Sequence, residues 1–354
     1  MKSVWIVGAG VVGLTLAYWL RQAGLLVTLW EADRPGSGGS GAALGIMMAV
    51  ASQKLQGSLP ELRLRSLAMY EWLVPELEAM TGIPIFYNRS GILCLYRSRP
   101  SKLAKLISIR QAQGYELCWW DQGEVRSRYG GIVAEGGLYS PSDRMIDPRG
   151  LISALVAALN LLGVSWRGRL DDQVDLEQVA DWVVLTAGTG SDRWLSKFGY
   201  GAALGVVRGQ ALELVLPGCD LPGPIHGEMV DGGDFNLVPL ANGKLWLGAT
   251  LEFRAEAELH QAELYLTDLR RNAERIYPYL AEAELVRSWA GVRARPQGRR
   301  SPILGFVPNS PGWLVATGHY RNGILMAPIT AEITRDLILR GDSDYPWRQF
   351  SLSL

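Results

Sequence analysis

Residues 2–31 constrain the fold more than any other stretch. An apolar, β-branched run, Val4-Trp5-Ile6-Val7, leads into Gly8-Ala9-Gly10-Val11-Val12-Gly13. An amphipathic segment continues to Ala23, Gly24 follows, and a second apolar run, Leu25 to Trp30, ends at Glu31. Strand, glycine turn, helix, strand and acid, within roughly 30 residues, is what a dinucleotide-binding βαβ unit requires. Gly8 permits the tight turn off the strand. Gly10 lets a pyrophosphate approach bare backbone, and Gly13 lets the helix pack close to the sheet. The helix start, with its free N–H groups and positive dipole end, suits phosphate. Glu31, at the tip of the second strand, can accept hydrogen bonds from ribose hydroxyls. A turn that merely ends a strand would leave Glu31 and the spacing unexplained. A membrane span is the other reading, since Ser3 to Leu20 carries no charge. The internal glycines, the β-branched start and the lack of a small-residue cleavage site argue against it.

The 354-residue length allows two domains or one large α/β body. Net charge is zero, which gives no reason to expect nucleic acid or an acidic membrane surface as partner. Cys94, Cys118 and Cys219 are widely spaced and read as free thiols in a reducing compartment, so a cytoplasmic protein is expected. His226, His260 and His319 are too scattered for a metal cluster, and no metal is expected.

After Glu31, the small-residue stretch from Ala32 to Gly45 runs into an apolar, helix-like segment, Ile46 to Ala51. Small residues there let backbone N–H groups reach a cofactor. Leu62 to Met80 has helical periodicity interrupted at Pro75, a core helix or helix pair. Ile83 to Tyr96 alternates like paired strands around the turn Asn88-Arg89-Ser90-Gly91. Ser101 to Gly114 reads as a helix capped by Ser101, and Trp119 to Tyr129 as another with an acidic start at Asp121 and Glu124. Asp147-Pro148 opens a helix that runs to about Leu162 and stops at Gly163, followed by a short strand, Val164 to Trp166. Ala180 to Ser191 is a buried strand ending in small residues, with Ala187 and Gly188 where a parallel strand meets a cofactor. Gly205 to Leu216 and Phe235 to Thr250 alternate as antiparallel strands with a turn at 241–244. Glu252 to Ala283 is a charged helix, and Trp289 to Arg295 a strand. Trp313 to Pro328 repeats strand, glycine-containing loop and helix start, the helix ending at Gly341.

Assembled, these stretches resemble the D-amino-acid-oxidase-like flavoenzymes, and among them the glycine oxidases of thiamine biosynthesis. The most specific pieces are Trp289-Ala290-Gly291-Val292-Arg293 and Gly318 to Pro328. Val206 to Gln210, Leu245 to Thr250 and the nucleotide fingerprint support them. The resemblance implies an α/β fold. A Rossmann-like FAD-binding domain (1–80, 147–204 and 300–354) would carry a second, antiparallel-sheet (α+β) substrate domain (81–146 and 205–299). It implies FAD as cofactor. Val11, Val12, Glu31 and Ala32 would hold its adenosine half, on the glycine fingerprint of Gly8, Gly10 and Gly13 already read as the cofactor turn. Gly39, Ser40, Leu44, Gly45 and Ile46 would line the pyrophosphate and flavin ring, with Ala187 and Gly188 beside them. His319, Tyr320, Arg321, Asn322, Gly323, Ile324 and Leu325 would cradle the pyrimidine edge.

The implied reaction is oxidation of glycine or another small amino acid or amine. A guanidinium matches the substrate carboxylate, and the neutral amine form gives up its Cα hydrogen as hydride to flavin N5. The imine then hydrolyses to glyoxylate or another oxo acid and ammonia, with hydrogen peroxide if dioxygen is the acceptor. No side-chain base is required, so no catalytic residue is assigned. Arg293 is the expected clamp, with Arg321 nearby. Arg295 shares its strand face and is the alternative. Asn236 and Leu251 stand where the family's glycine oxidases carry a tyrosine and a methionine facing the substrate. The stretch Arg167 to Glu177 is shorter than the family's strand pair. Because the last cysteine is Cys219, a noncovalent flavin is expected. His319 reads as a loop residue against the flavin, not a general base. Two alternatives stay open: a D-amino-acid or N-methyl-amino-acid dehydrogenase with a non-oxygen acceptor, and a non-catalytic FAD-binding relative. A homo-oligomer is possible on the same resemblance.

Overall fold

A computed structural model describes residues 2–171, 180–229, 233–253 and 262–352. The opening run forms β1 (Ser3–Val7), α1 (Val11–Gln22) and β2 (Leu26–Trp30). They enter a six-stranded sheet in the order β16-β17-β10-β1-β2-β9, with β9 Ser165–Arg167, β10 Trp182–Leu185, β16 Ile303–Phe306 and β17 Trp313–Thr317. All its pairings are parallel except that between β16 and β17. Both faces are covered, as a parallel sheet requires. Val184, Leu314 and Ala316 point into a core shared with α1, α5 (Pro148–Leu161) and α8 (Gly323–Arg340). Val183, Leu185 and Val315 point the other way, onto Trp194, Leu195 and Leu204.

The same core takes in α2, one helix from Ser58 to Thr81 that passes through Pro75 unbroken. Leu73, Val74 and Leu77 are buried on either side of the proline, so tertiary packing outweighs the lost backbone bond. Another proline explains part of that packing. Pro328 sits inside α8 and cannot donate to Ile324 O. The Tyr70 hydroxyl of α2 donates to that carbonyl instead, at 2.5 Å, and Ser66 Oγ accepts the Ile329 N–H at 3.2 Å.

An eight-stranded sheet runs β15-β11-β14-β13-β12-β5-β7-β6, antiparallel except between β12 and β5. Its members are β5 Ile92–Tyr96, β6 Cys118–Asp121, β7 Gly136–Ser140, β11 Leu204–Val215, β12 Ile225–Glu228, β13 Asp234–Pro239, β14 Lys244–Gly248 and β15 Glu284–Pro296. One face, with Leu212, Leu214, Phe235, Leu237 and Leu247, packs on Leu269 and Ala273 of α7 (Ala262–Ile276). The other carries Ala211, Val238 and Trp246 against Leu44 and Met145. A small sheet, β3 (Ile46–Met47), β8 (Arg144–Ile146) and β4 (Tyr87–Asn88), lies in the order β3-β8-β4.

Several local expectations are corrected. Residues 46–51 are not helical. After β3 the chain bends around Asp143, whose carboxylate accepts the N–H groups of Ala49 (2.7 Å), Val50 (2.8 Å) and Ala51 (2.8 Å). β4 and β5 flank a turn but do not pair with each other; β4 joins β8, whereas β5 joins β7 and β12. The helix α3 spans Leu103–Ala112 and is not capped by Ser101. Trp119 and Trp120 belong to β6, and the following helix, α4 (Gln122–Arg128), starts at Asp121, which forms a capping box with Glu124. Helix α7 occupies only Ala262–Ile276 of the expected 252–283, of which 254–261 lie outside the described residues. Most of the short 167–177 stretch (172–177) also lies outside them.

Candidate active site

A cavity of about 880 Å³ runs from the end of β1 to the cavity-facing side of the eight-stranded sheet. At its first end the glycine turn does what its spacing predicts. Gly8 has φ +107, and a Cβ on Gly13 would collide with Gly8 O and with Thr186 Oγ1. Gly10 opens α1 without a side chain of its own to cap it. Ser40 supplies the cap from the glycine-rich loop, its Oγ accepting the Val11 N–H at 3.0 Å. The rest of that first turn has no intrahelical partners for its N–H groups. Glu31 accepts the N–H of Ala9 (2.7 Å) and of Asp33 (3.1 Å), which fixes the acid beside the turn.

The cavity continues past Gly39, Leu44, Gly45 and Ile46 on one side and Ala187 and Gly188 on the other. It then meets a second helix start, the loop from His319 to Leu325 that opens α8. Tyr320 N donates to Ala294 O at 3.1 Å, tying this loop to β15. His319 is buried, with Nε2 2.9 Å from Thr330 Oγ1. Burial pushes its imidazole down to about 4, so it stays neutral at pH 7.

The sheet provides the remaining wall. Strand alternation puts Asn236 on the cavity side and Phe235 in the opposite core. His226 faces Asn236 in register across β12 and β13, with Nδ1 3.1 Å from Asn236 Oδ1. Arg293, on β15, lies across Gly209 of β11, where any Cβ would strike the guanidinium. Its Nη1 donates to Arg208 O (3.3 Å) and Thr250 O (3.1 Å). Its Nε and Nη2 make no hydrogen bond, and it has no carboxylate partner, among the described residues. Burial and the neighbouring Arg321 pull its pKa below the ordinary arginine value. Arg321 is itself paired with Asp234 at 2.6 Å.

Every cofactor and substrate position expected from the sequence lines this cavity except Gly13 and Leu251. Gly13 stands behind the wall, where its missing side chain lets α1 close on the turn. Leu251 lies between Thr250 and Glu252, whose N–H groups bond to Gln210 O and Arg208 O of β11. None of these three residues lines the cavity, whose wall on this segment ends at Ala249. Arg295 reaches the cavity but is exposed, stacked over Phe253 (5.3 Å) and Tyr320 (5.9 Å). Sequence reasoning missed Met48, Lys54, Arg63, His226 and Asp234, all on the wall. His226 was visible only as a scattered histidine, and nothing local marked the others.

The geometry fits one long, two-ended ligand. Two helix starts, at α1 and α8, open onto one continuous cavity. The bare backbone at Gly8 and Gly10 suits a diphosphate, and the apolar Leu44 and Ile46 further along suit a flat ring. This is the layout of a dinucleotide-dependent oxidoreductase, with the Arg293 guanidinium at the end of the cavity away from the β1 turn.

The chain belongs to the DAO family of FAD dependent oxidoreductases, whose profile matches residues 3–337. FAD is its cofactor. It is 27% identical to the glycine oxidase of Geobacillus kaustophilus over 369 residues, covering 99% of this chain and 96% of that protein. It is 31% identical to the bifunctional protein ThiO/ThiG of Synechocystis sp. over 352 residues, covering 96% of this chain. The chain spans about half the length of that relative, 52%. The crystal structure of glycine oxidase from Geobacillus kaustophilus superposes with a TM-score of 0.90 at 26% identity, covering 100% of this chain and 99% of the other. Among the described residues, no helix is long and apolar enough to cross a membrane.

Proposed function

We propose that this flavoenzyme oxidatively deaminates glycine or another small amino acid or amine, in the thiazole branch of thiamine biosynthesis. The observation that carries the proposal is Arg293. It is a cavity guanidinium braced by two backbone carbonyls, with Nε and Nη2 left for a ligand. A desolvated cation without a counter-ion is costly, and an α-carboxylate on its fork removes the cost. The relatives named glycine oxidase support the same reading.

Bound FAD supplies the two-electron acceptor for the substrate Cα–H. Gly8, Gly10, Val11, Val12, Glu31 and Ala32 would hold its adenosine half. Gly39, Ser40, Leu44, Gly45, Ile46, Ala187, Gly188 and the 319–325 loop would hold the remainder, without a covalent bond. Arg293 fixes the carboxylate, with Arg321 at the cavity edge. Asn236, held by His226, offers a polar side chain where the amine arrives. Neutral His319 contributes a hydrogen-bonding ring and no charge. Leu44, Ile46, Met48 and Ala249 keep water from the reacting carbon. The imine product hydrolyses to glyoxylate or another oxo acid and ammonia, with dioxygen accepting the electrons as hydrogen peroxide. The division into an FAD-binding part (1–80, 147–204, 300–354) and a substrate part (81–146, 205–299) belongs to this proposal.

The test is peroxide release on adding glycine, D-alanine or sarcosine to the aerobic holoenzyme. Turnover only with an artificial acceptor would instead indicate a dehydrogenase. No reaction with any of them or with other amino acids would overturn the proposal.

A further inference from the structure

The reactive end of the cavity carries more positive charge than one carboxylate needs. Beyond Arg293, the side chains of Lys54, Arg63, Arg300 and Arg321 line the same cavity. They are close enough to feel one another. The charges of Arg63, Arg300 and Arg321 act on Lys54, and that of Arg321 also acts on Arg63 and Arg293. Among the described residues of this cluster, one carboxylate, Asp234, makes an ion pair, and it is spent on Arg321. Lys54 makes no ion pair or hydrogen bond among them.

Arg63 adds an independent observation. It is only 9% exposed, and its Nε is buried with no hydrogen-bond partner. Its other nitrogens are committed to the loop: Nη1 donates to Ser52 Oγ at 2.9 Å, and Nη2 to Met48 O. The nearest opposing field is that of Asp143, which is itself occupied by the N–H groups of residues 49–51. That Nε is sealed off from the cavity, so what Arg63 brings to the site is its charge, with the nearby Asp143 carboxylate already engaged.

Resting on the amino-acid oxidase reading above, we propose that Lys54 and Arg321, in the field of Arg63, form a second anion subsite, so that the favoured substrate is an amino acid bearing a second acidic group. Arg293 takes the α-carboxylate. The second acid group, on the side chain or on the amine, lies toward Lys54, the one flexible ammonium of the cluster. Partial desolvation and the three arginines lower the Lys54 pKa, and a bound anion reverses that effect.

The test uses unreactive acids on the purified holoenzyme, followed by the change in flavin absorbance. Malonate binds about tenfold more tightly than acetate at low salt, the scale of one charge-assisted hydrogen bond. Lys54→Met reduces the preference to roughly threefold or less and leaves acetate affinity in place, whereas Lys54→Arg retains the preference. Equal binding of malonate and acetate by the unaltered protein overturns the subsite, as does an undiminished preference in Lys54→Met. The two proposals fail separately. Flavin reduction by a small amino acid together with equal binding of the two acids removes only the second subsite. No binding of acetate or malonate and no reduction by any amino acid removes the amino-acid reading, and the subsite with it.

Discussion

Arg293→Lys is the perturbation that most sharply separates a carboxylate clamp from a structural arginine. Arg293 Nη1 donates to Arg208 O and Thr250 O, and the Nε and Nη2 hydrogens remain for a ligand. An ammonium has three donors. If it keeps the two carbonyls, it can offer a carboxylate one hydrogen bond where the guanidinium offers a parallel pair. The loss is therefore one charge-assisted hydrogen bond, ~1.5–3 kcal/mol, or roughly 10- to 100-fold in affinity. Acetate titration of the flavin absorbance measures this directly, and KM for the best amino acid follows it. Bound flavin content should not change, because the substitution keeps the charge. Arg295→Lys is the matched control. Arg295 is exposed and stacks on Phe253 and Tyr320, a contact worth about 0.5–1 kcal/mol at most at such a site, so acetate affinity falls less than about fivefold. An Arg293→Lys protein that binds acetate within roughly threefold of the unaltered chain, or an Arg295→Lys protein with the larger loss, would refute the assignment.

Three further outcomes follow from the structure. His319 is held neutral, down to about 4 from 6.5, so the unfolded chain binds the extra proton between those values. Its contribution of ~3 kcal/mol is complete above pH 6.5 and is lost as pH falls toward 4. Denaturant unfolding of His319→Asn should show a shallower loss between pH 7 and 4.5 than the unaltered protein, and parallel curves would contradict this. Asp143→Ala orphans the N–H groups of Ala49, Val50 and Ala51, costing at least ~3 kcal/mol. Thermal denaturation should show a drop of roughly 4 °C or more, and an unchanged Tm would rule out the anchoring role. Acid precipitation should leave the flavin in the supernatant, and yellow colour retained in the washed pellet would mean a covalent bond.

The two ends of the cofactor cavity were legible in the sequence for a physical reason. A turn between strand and helix needs small residues at fixed offsets, and Gly8, Gly10 and Gly13, like the loop that ends at Gly323, carry that information locally. The acid-binding side was only partly legible. Arg293 and Arg295 share a strand face and look equivalent in sequence. What separates them is Gly209, on a different strand, which gives the Arg293 guanidinium room to lie across β11. Segment 46–51 looked helical because its apolar residues are consecutive. Its backbone is instead held by Asp143, 92–94 residues away, which no local pattern reveals. Likewise β4 and β5 flank a good turn signal, yet their partners come from β7, β8 and β12. Lys54 and Arg63 were invisible as site residues because one lies within an irregular loop and the other sits on a long core helix.

The most direct measurement of the central claim is the absorbance of the bound flavin under anaerobic conditions on adding glycine, with D-alanine and sarcosine in parallel. The account predicts bleaching of the oxidised flavin by at least one of them. It also predicts that Arg293→Lys bleaches more slowly at subsaturating substrate while binding the same amount of FAD. A yellow holoenzyme that none of these or other amino acids reduces would contradict it.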